Sequence, residues 1–263
     1  RPSRRDDRPR SSLVAAGWCM TENPVYLEML QGAHHLPHFV DPTLPGRRLE
    51  LHVALMPEDQ PFGIDEELFW AAAQPAVHPF AGAYVPSPEH LLLHTAVHFA
   101  WQHTLAFGAW RTFRAVQIAI ALPTLDWDRF IEEASRTKGR SSAYWTLRMS
   151  TQLAGIAIPA AVLSALQPPT PEFVLKSLER HYAALNAPGE RPSSPSESLT
   201  RYLWFAALRP RWSGHGDPGR YDPENRWAKA KGRASTETSA QRYLRHVRQL
   251  GAWVRFVRET LLG

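Results

Sequence analysis

The segment Ser87-Pro88-Glu89 constrains the fold most strongly, because it marks the start of a long helical region. Serine is a preferred N-cap, proline suits the first helical turn, and an acid there interacts favourably with the helix dipole. Apolar residues then recur with a helical period, interrupted by short loops. The sequence therefore predicts helices over residues 88–104, 109–122, 126–138, 141–154, 159–166 and 171–185.

Residues 49–53, Leu-Glu-Leu-His-Val, have the alternating pattern of a strand instead. Side chains along a strand point to opposite faces in turn, so Glu50 and His52 should project together, away from the three apolar residues. A carboxylate beside an imidazole on a rigid strand can hold a metal ion, take a proton, or simply lie on a hydrated face. The pattern leaves these three roles open.

A partner strand is predicted upstream, at His34-His35-Leu36-Pro37-His38-Phe39-Val40. The residues between the two strands, Asp41-Pro42-Thr43-Leu44-Pro45-Gly46, have the composition of a long hairpin loop. Residues 25–40 and 47–55 would thus form a hairpin, followed by a short helix that begins near Asp65. We expect any chemistry of the chain to lie at this hairpin.

Composition narrows the class of protein. A chain of 263 residues that is 44% apolar can bury a full core. Its net charge of +5 falls short of a nucleic-acid footprint, and no apolar run is long enough to span a bilayer. The single cysteine, Cys19, excludes an internal disulfide framework and fits a reducing compartment. These features predict a cytoplasmic protein with no membrane span and no strong nucleic-acid signature.

The fold class predicted from these patterns is α+β and mostly helical. We expect a disordered basic tail over residues 1–12, an α+β region with a small mixed or antiparallel sheet over 13–86, and an all-helical domain over 87–263. Residues 187–198 have the composition of a linker or mobile loop. Residues 239–262 predict a basic amphipathic helix, suited to the protein surface, a membrane surface or a protein partner.

Three stretches carry a resemblance to a known family. His35-Leu36-Pro37 with residues 49–52 is similar to an "HLPP … ELHW" hairpin, and residues 87–103 to an "SPEDLLLH … HLA … H" helix. Residues 125–134 and 156–159 are similar to "DW … A" and a "G-small-P" turn. In their order and spacing, over about residues 13–166, they resemble the uncharacterised nucleotidyltransferase family of the polymerase-beta-like fold.

The resemblance implies a nucleotidyltransferase-like sheet and transfer of a nucleotidyl group from a nucleoside triphosphate to an unknown acceptor. It also implies magnesium, since two divalent cations neutralise charge on the attacking and leaving oxygens and take oxygen ligands. By this comparison Glu50 matches the third of three metal-binding carboxylates, with His52 beside it in the catalytic site. His98, Arg111 and Arg114 would lie near the nucleotide.

The chain departs from the family pattern at two points. The other two carboxylates of the family form an Asp-x-Asp strand after a Gly-Ser or Gly-Gly turn, and no such segment precedes Glu50 here. We expect a truncated or frame-shifted start and an incomplete sheet. Gln117 also stands where relatives tend to carry an acid. Two hypotheses remain: a magnesium-dependent transferase, inactive in this form if the paired carboxylates are required, or a catalytically dead ligand-binding or protein-interaction module.

Three histidines on the helical segment after Ser87 could also carry chemistry. His94 and His98, four apart on a helix, and the nearby His103 allow a zinc interpretation, but the His-Glu-x-x-His pattern is absent, which favours hydrogen-bonded core histidines. No Gly-x-Ser-x-Gly elbow and no Gly-Lys-Ser/Thr phosphate loop occurs. The sequence therefore gives no support to a serine hydrolase or a P-loop enzyme.

Overall fold

In the computed structural model, the described residues are 7–20, 35–44, 46–56, 62–76, 82–106 and 108–187, with Leu208 and Val254. They belong to two compact units: residues 7–56 form the described part of one, and the described residues from 62 onward belong to the other. The predicted linker beyond residue 187 and the predicted basic helix over 239–262 lie outside the described residues, apart from Val254.

The first unit contains one helix and a three-stranded antiparallel sheet. Helix α1 spans Asp7–Ala15, and the strands are β1 (Cys19–Met20), β2 (Phe39–Val40) and β3 (Arg48–Leu49), with β2 in the centre. Helix α1 ends before Gly17, whose φ of +86° lies in the left-handed region that glycine tolerates. The small antiparallel sheet agrees with the predicted fold class.

Helix α1 begins earlier than the composition indicated. A disordered tail was predicted over residues 1–12, whereas residues 7–12 are helical and residues 1–6 lie outside the described part. Once one turn is formed, each further residue adds a hydrogen bond at little cost, so the helix extends into a polar segment.

The second unit begins with helix α2 (Glu66–Ala71) and a short antiparallel pair, β4 (Gln74–Pro75) and β5 (Tyr84–Val85). Asp65 caps α2 by accepting hydrogen bonds from the backbone N–H groups of Glu67 and Leu68. The domain boundary predicted at residue 86 stays a prediction; by compactness, the second unit begins near residue 61.

Helices fill the rest of the second unit. Their bounds confirm all six predicted segments within one or two residues, except that the first is α-helical only to Val97 and continues as a π-helical turn. The elements are α3 (Pro88–Val97), the π turn (His98–Gln102), α4 (Ala109–Ile120), α5 (Trp127–Arg136), α6 (Arg140–Ala154), α7 (Ala160–Leu166) and α8 (Glu172–Asn186).

The core of this unit forms where α3 and α6 pack together. Leu92 and Trp145 are fully buried, and the buried hydroxyl of Thr146 on α6 donates a hydrogen bond to the Ala96 carbonyl of α3. The signal that opened α3 also anchors α5, because the buried carboxylate of Glu89 accepts a hydrogen bond of 2.9 Å from the backbone N–H of Asp126. One short sequence signal thus positions two helices.

A strained turn follows the π turn. Thr104 and Leu105 have φ values of 52° and 55°, which cost energy in residues other than glycine. The side-chain amide of Asn186 at the end of α8 donates hydrogen bonds to the carbonyls of Leu105 (2.6 Å) and Tyr182 (2.8 Å). A contact across 81 residues of chain therefore holds the turn.

Asn186→Ala should lower the free energy of unfolding by about 2 kcal/mol, since a buried carbonyl in a strained turn loses this donor. Urea denaturation measures the change. The control is Gln152→Ala on α6, whose side chain is exposed. Equal effects of the two variants would show that Asn186 does not support the turn.

The stability of this unit should also fall with acidification. His181 on α8 is 9% exposed, and burial lowers its pKa from 6.5 to about 4. Between these values the unfolded chain binds the proton and the folded protein does not, so stability decreases as pH falls from 7 towards 4. The loss from this residue amounts to about 3 kcal/mol, at 1.36 kcal/mol for each pKa unit.

Urea denaturation of the parent protein and of His181→Gln at pH 7, 5.5 and 4 tests this expectation. The variant should show a shallower decline, whatever its stability at pH 7. Parallel declines in the two proteins would contradict it.

Candidate functional site

The candidate site is one face of the β2–β3 hairpin in the first unit. Its loop is built as predicted: the Asp41 carboxylate accepts hydrogen bonds from the backbone and hydroxyl of Thr43, and the Asp41 N–H donates to the Arg47 carbonyl. The hydrogen bonds from the Thr43 hydroxyl and the Thr43 N–H lower the pKa of Asp41. The loop therefore keeps the two strands in a defined register.

The register contains one extra residue on the β2 side. Phe39 pairs with Leu49, and further along His35 forms a bridge with His52. Residues 36–38 on one side thus face residues 50–51 on the other, which is the count of a β-bulge. Pro37 lies inside this segment, where the absence of its N–H costs the ladder nothing.

The bulge brings four polar side chains onto one face. In a regular strand His35 and His38 would point to opposite faces, but one added residue reverses the alternation between them. Both histidines then share a face with Glu50 and His52, which point the same way because they are two residues apart on the side without the bulge. The rings of His35 and His38 are stacked with centroids 6.4 Å apart, and those of His35 and His52 are 5.7 Å apart.

The carboxylate of Glu50 lies between two imidazoles. Its Oε1 is 2.8 Å from Nδ1 of His38, and its Oε2 is 3.8 Å from Nε2 of His52. The Glu50 side chain is 43% exposed and that of His52 is 34% exposed, so solvent reaches the pair. The predicted projection of Glu50 and His52 to one face is confirmed, and the site gains His38 as a direct neighbour.

The opposite face of the hairpin is apolar. Phe39 is fully buried, and Leu49 and Leu51 are half-buried. Val53, predicted to join them, is 45% exposed. Strand pairing ends at the His35–His52 bridge and the chain then bends, so the alternation that orients Leu49 and Leu51 no longer applies at Val53.

The electrostatics of the face favour a neutral imidazole at His52. Burial lowers the pKa of His52, the charge on His35 lowers it further, and the carboxylate of Glu50 acts in the opposite direction. A neutral imidazole presents a lone pair that can take a proton or bind a cation. Among the described residues, no three His, Cys, Asp or Glu side chains are already spaced as ligands around one ion.

The other predicted site residues lie in the second unit. Arg111 and Arg114 are exposed on α4, and Arg114 donates a hydrogen bond of 2.8 Å to the side-chain oxygen of Gln117. A Cβ added at Gly108 would lie 3.5 Å from Nη2 of Arg111, so this guanidinium folds back over the start of α4. Their predicted role near a nucleotide stays a prediction.

His98 opens the π turn and belongs to a row of rings. Its ring centroid is 5.8 Å from that of His94 and 4.7 Å from that of His103. The wider π turn brings residues five apart onto one side, and the His103 N–H donates to the His98 carbonyl. The three rings are half-buried. As placed among the described residues, they do not form the group of three ligands that the zinc interpretation needs.

The sequence predicts His35 and His38 in the partner strand but indicates no role for either. The two histidines are three residues apart, and in a regular strand such side chains point to opposite faces. The alternation therefore gives no sign that they cluster. Pro37 between them is the one sequence signal that could have indicated a bulge.

The comparison with protein families decides the family. The family model described as "Uncharacterised nucleotidyltransferase" matches residues 4–155, more than half of the chain, and this range contains the hairpin and helices α3 to α5. The chain belongs to the uncharacterised nucleotidyltransferase family. Searches of curated proteins and of solved structures found no significant match.

Membership confirms the resemblance found in the sequence. It supports a nucleotidyltransferase as the general class, and it agrees with a helical α+β fold. None of the helices among the described residues is long and apolar enough to cross a bilayer.

The titration of His52 reports whether the face is assembled as described. Glu50→Gln should lower the pKa of His52 further, because the carboxylate that favours the charged imidazole is lost. His35→Gln should raise it, because a competing positive charge is removed. NMR titration of the imidazole signals, with a chelator present, measures both shifts. Shifts of the same sign in the two variants would exclude this arrangement.

Proposed function

We propose that this protein binds a nucleoside triphosphate and transfers its nucleotidyl group to an acceptor, with the hairpin face as the reacting part. The observation that carries the proposal is the contact of Glu50 with two imidazoles inside the family-matched range. Family membership supports the general class, and the acceptor is left open.

The face has the properties that a reacting surface needs. Its side chains lie in the segments that continue β2 and β3, which are joined by the His35–His52 bridge and by a hydrogen bond of 2.8 Å from the Leu36 N–H to the Leu51 carbonyl. Groups on a rigid ladder keep their mutual geometry better than groups on a free loop. They are also partly exposed, so a substrate can reach them.

Magnesium, implied by the resemblance, stays a prediction. Magnesium prefers oxygen ligands in a near-ideal octahedron, and a two-ion site needs several carboxylates. On the described face Glu50 is the single carboxylate, and its neighbours are imidazoles. These residues by themselves do not fit a two-magnesium site, so no step of the transfer is assigned to that ion.

The second unit, taken by itself, keeps its own candidates for contact with a nucleotide. Arg111 and Arg114 are exposed, and the planar guanidinium group suits bidentate binding of phosphate. His98, half-buried in the π turn, offers an imidazole in a helix distortion of a kind that is frequent at functional sites.

An interaction module is the second candidate, and one observation favours it. Large apolar side chains are exposed on α2 and on β5: Leu68 is 52% exposed, Trp70 51% and Tyr84 65%. Exposed aromatic side chains are enriched at protein interfaces. In this alternative the hairpin completes the first unit and the protein turns over no nucleotide. A cytoplasmic location is part of both candidates as a prediction.

Release of pyrophosphate from each of the four nucleoside triphosphates, with magnesium or manganese and a panel of acceptor classes, tests the transfer. Glu50→Ala should reduce the rate by about 100-fold or more, the range for removal of a group acting in the transition state. The matched control is Glu132→Ala, an exposed acid on α5, which should leave the rate unchanged.

Two outcomes would contradict the proposal. One is turnover that both variants retain equally, which would remove the hairpin from the chemistry. The other is neither turnover nor nucleotide binding in the parent protein, which would favour the interaction module.

A further inference from the structure

The hairpin face collects nitrogen donors around one oxygen donor. His38 and His52 flank Glu50 directly, and His35 contacts the rings of both histidines. Imidazole is a borderline ligand that suits zinc, cobalt, nickel and copper, whereas magnesium takes oxygen. The donor set therefore disagrees with the ion that the family resemblance implies.

We propose that this face binds a divalent transition-metal cation of the zinc class, through the imidazoles of His38 and His52 and the carboxylate of Glu50. Two imidazoles and one carboxylate form a ligand set that holds zinc in proteins while leaving a position for water or substrate. The inference goes beyond nucleotidyl transfer, because a cation can bind here whether or not the protein turns over a nucleotide.

The backbone places the three side chains on one face before any ion arrives. The bulge at residues 36–38 turns His38 towards Glu50, and the normal alternation of the facing segment places His52 two residues away on the same face. Each carboxylate oxygen already contacts a different imidazole, at 2.8 and 3.8 Å. The carboxylate of Glu50 thus lies within reach of both imidazoles.

The remaining adjustment is confined to side chains. The three groups are not yet spaced around a common point, so the His38–Glu50 contact must open to admit an ion between its partners. All three side chains are partly exposed, at 26%, 43% and 34% for His38, Glu50 and His52, and exposed side chains change rotamer quickly. The strand pairing need not change.

His35 is assigned a positioning role. Its ring stacks on His38 and contacts His52, and its Nδ1 lies 3.1 Å from the Leu36 carbonyl. Through these contacts it holds the two ligand rings on the same face. A residue that orients ligands typically contributes about 10-fold to 100-fold to metal affinity.

Calorimetric titration of the untagged, chelator-treated full chain tests the proposal. Zinc should bind with one-to-one stoichiometry and at least about 100-fold more tightly than magnesium, as nitrogen ligands require. Cobalt(II) should give visible absorption bands of a low-coordinate site. His38→Ala, His52→Ala and Glu50→Gln should each weaken zinc binding by about 10-fold or more, and His35→Gln should weaken it less.

Matched controls come from the second unit. His98→Ala and His103→Ala remove imidazoles from the other histidine row and should leave zinc affinity and the cobalt spectrum unchanged. Circular dichroism of every variant confirms that the fold is retained. The proposal is overturned if magnesium binds as tightly as zinc, if the hairpin variants keep full affinity, or if only the His98 and His103 variants lose it.

The binding experiment is independent of turnover. It needs neither nucleotide nor acceptor, so absence of pyrophosphate release would not alter its result. Conversely, transfer activity with no zinc affinity at the hairpin would retain the proposed function and reject this inference.

Discussion

The functional face depends on one constraint, the offset pairing of the β2–β3 hairpin. Phe39 pairs with Leu49 and His35 with His52, so one side carries one residue more than the other. Because a strand alternates with a period of two, a single added residue moves His38 to the face of Glu50. Without it the carboxylate would meet His52 alone, and the cluster of three imidazoles would not exist.

The second unit depends in a comparable way on polar groups that join distant segments. The Glu89 carboxylate accepts a hydrogen bond from the N–H of Asp126, the N-cap residue of α5. The Asn186 amide donates a hydrogen bond to the Leu105 carbonyl in the strained turn. Both side chains are buried, and a buried polar group without a partner is costly. Such contacts fix which segments pack against one another. Apolar packing around Trp145 alone would specify this arrangement less closely.

Local signals predicted most elements, since their physics acts within one turn of chain. The caps at Asp65, Ser87 and Asp126 are all observed with their side chains accepting backbone hydrogen bonds. Three features escaped prediction: the helical residues 7–12, the π turn at His98 and the place of His38. Each depends on helix propagation, on side-chain packing or on cross-strand register, which composition and periodicity do not encode.

The sequence by itself determined the helical order after residue 87, the hairpin, and the shared face of Glu50 and His52. These follow from caps, turn residues and alternation, which are properties of neighbouring residues. Only the tertiary structure decided which groups surround Glu50. His38 is twelve residues away along the chain, and it reaches the carboxylate because the strands pair out of step by one residue. Register is a relation between two strands, and neither strand specifies it alone.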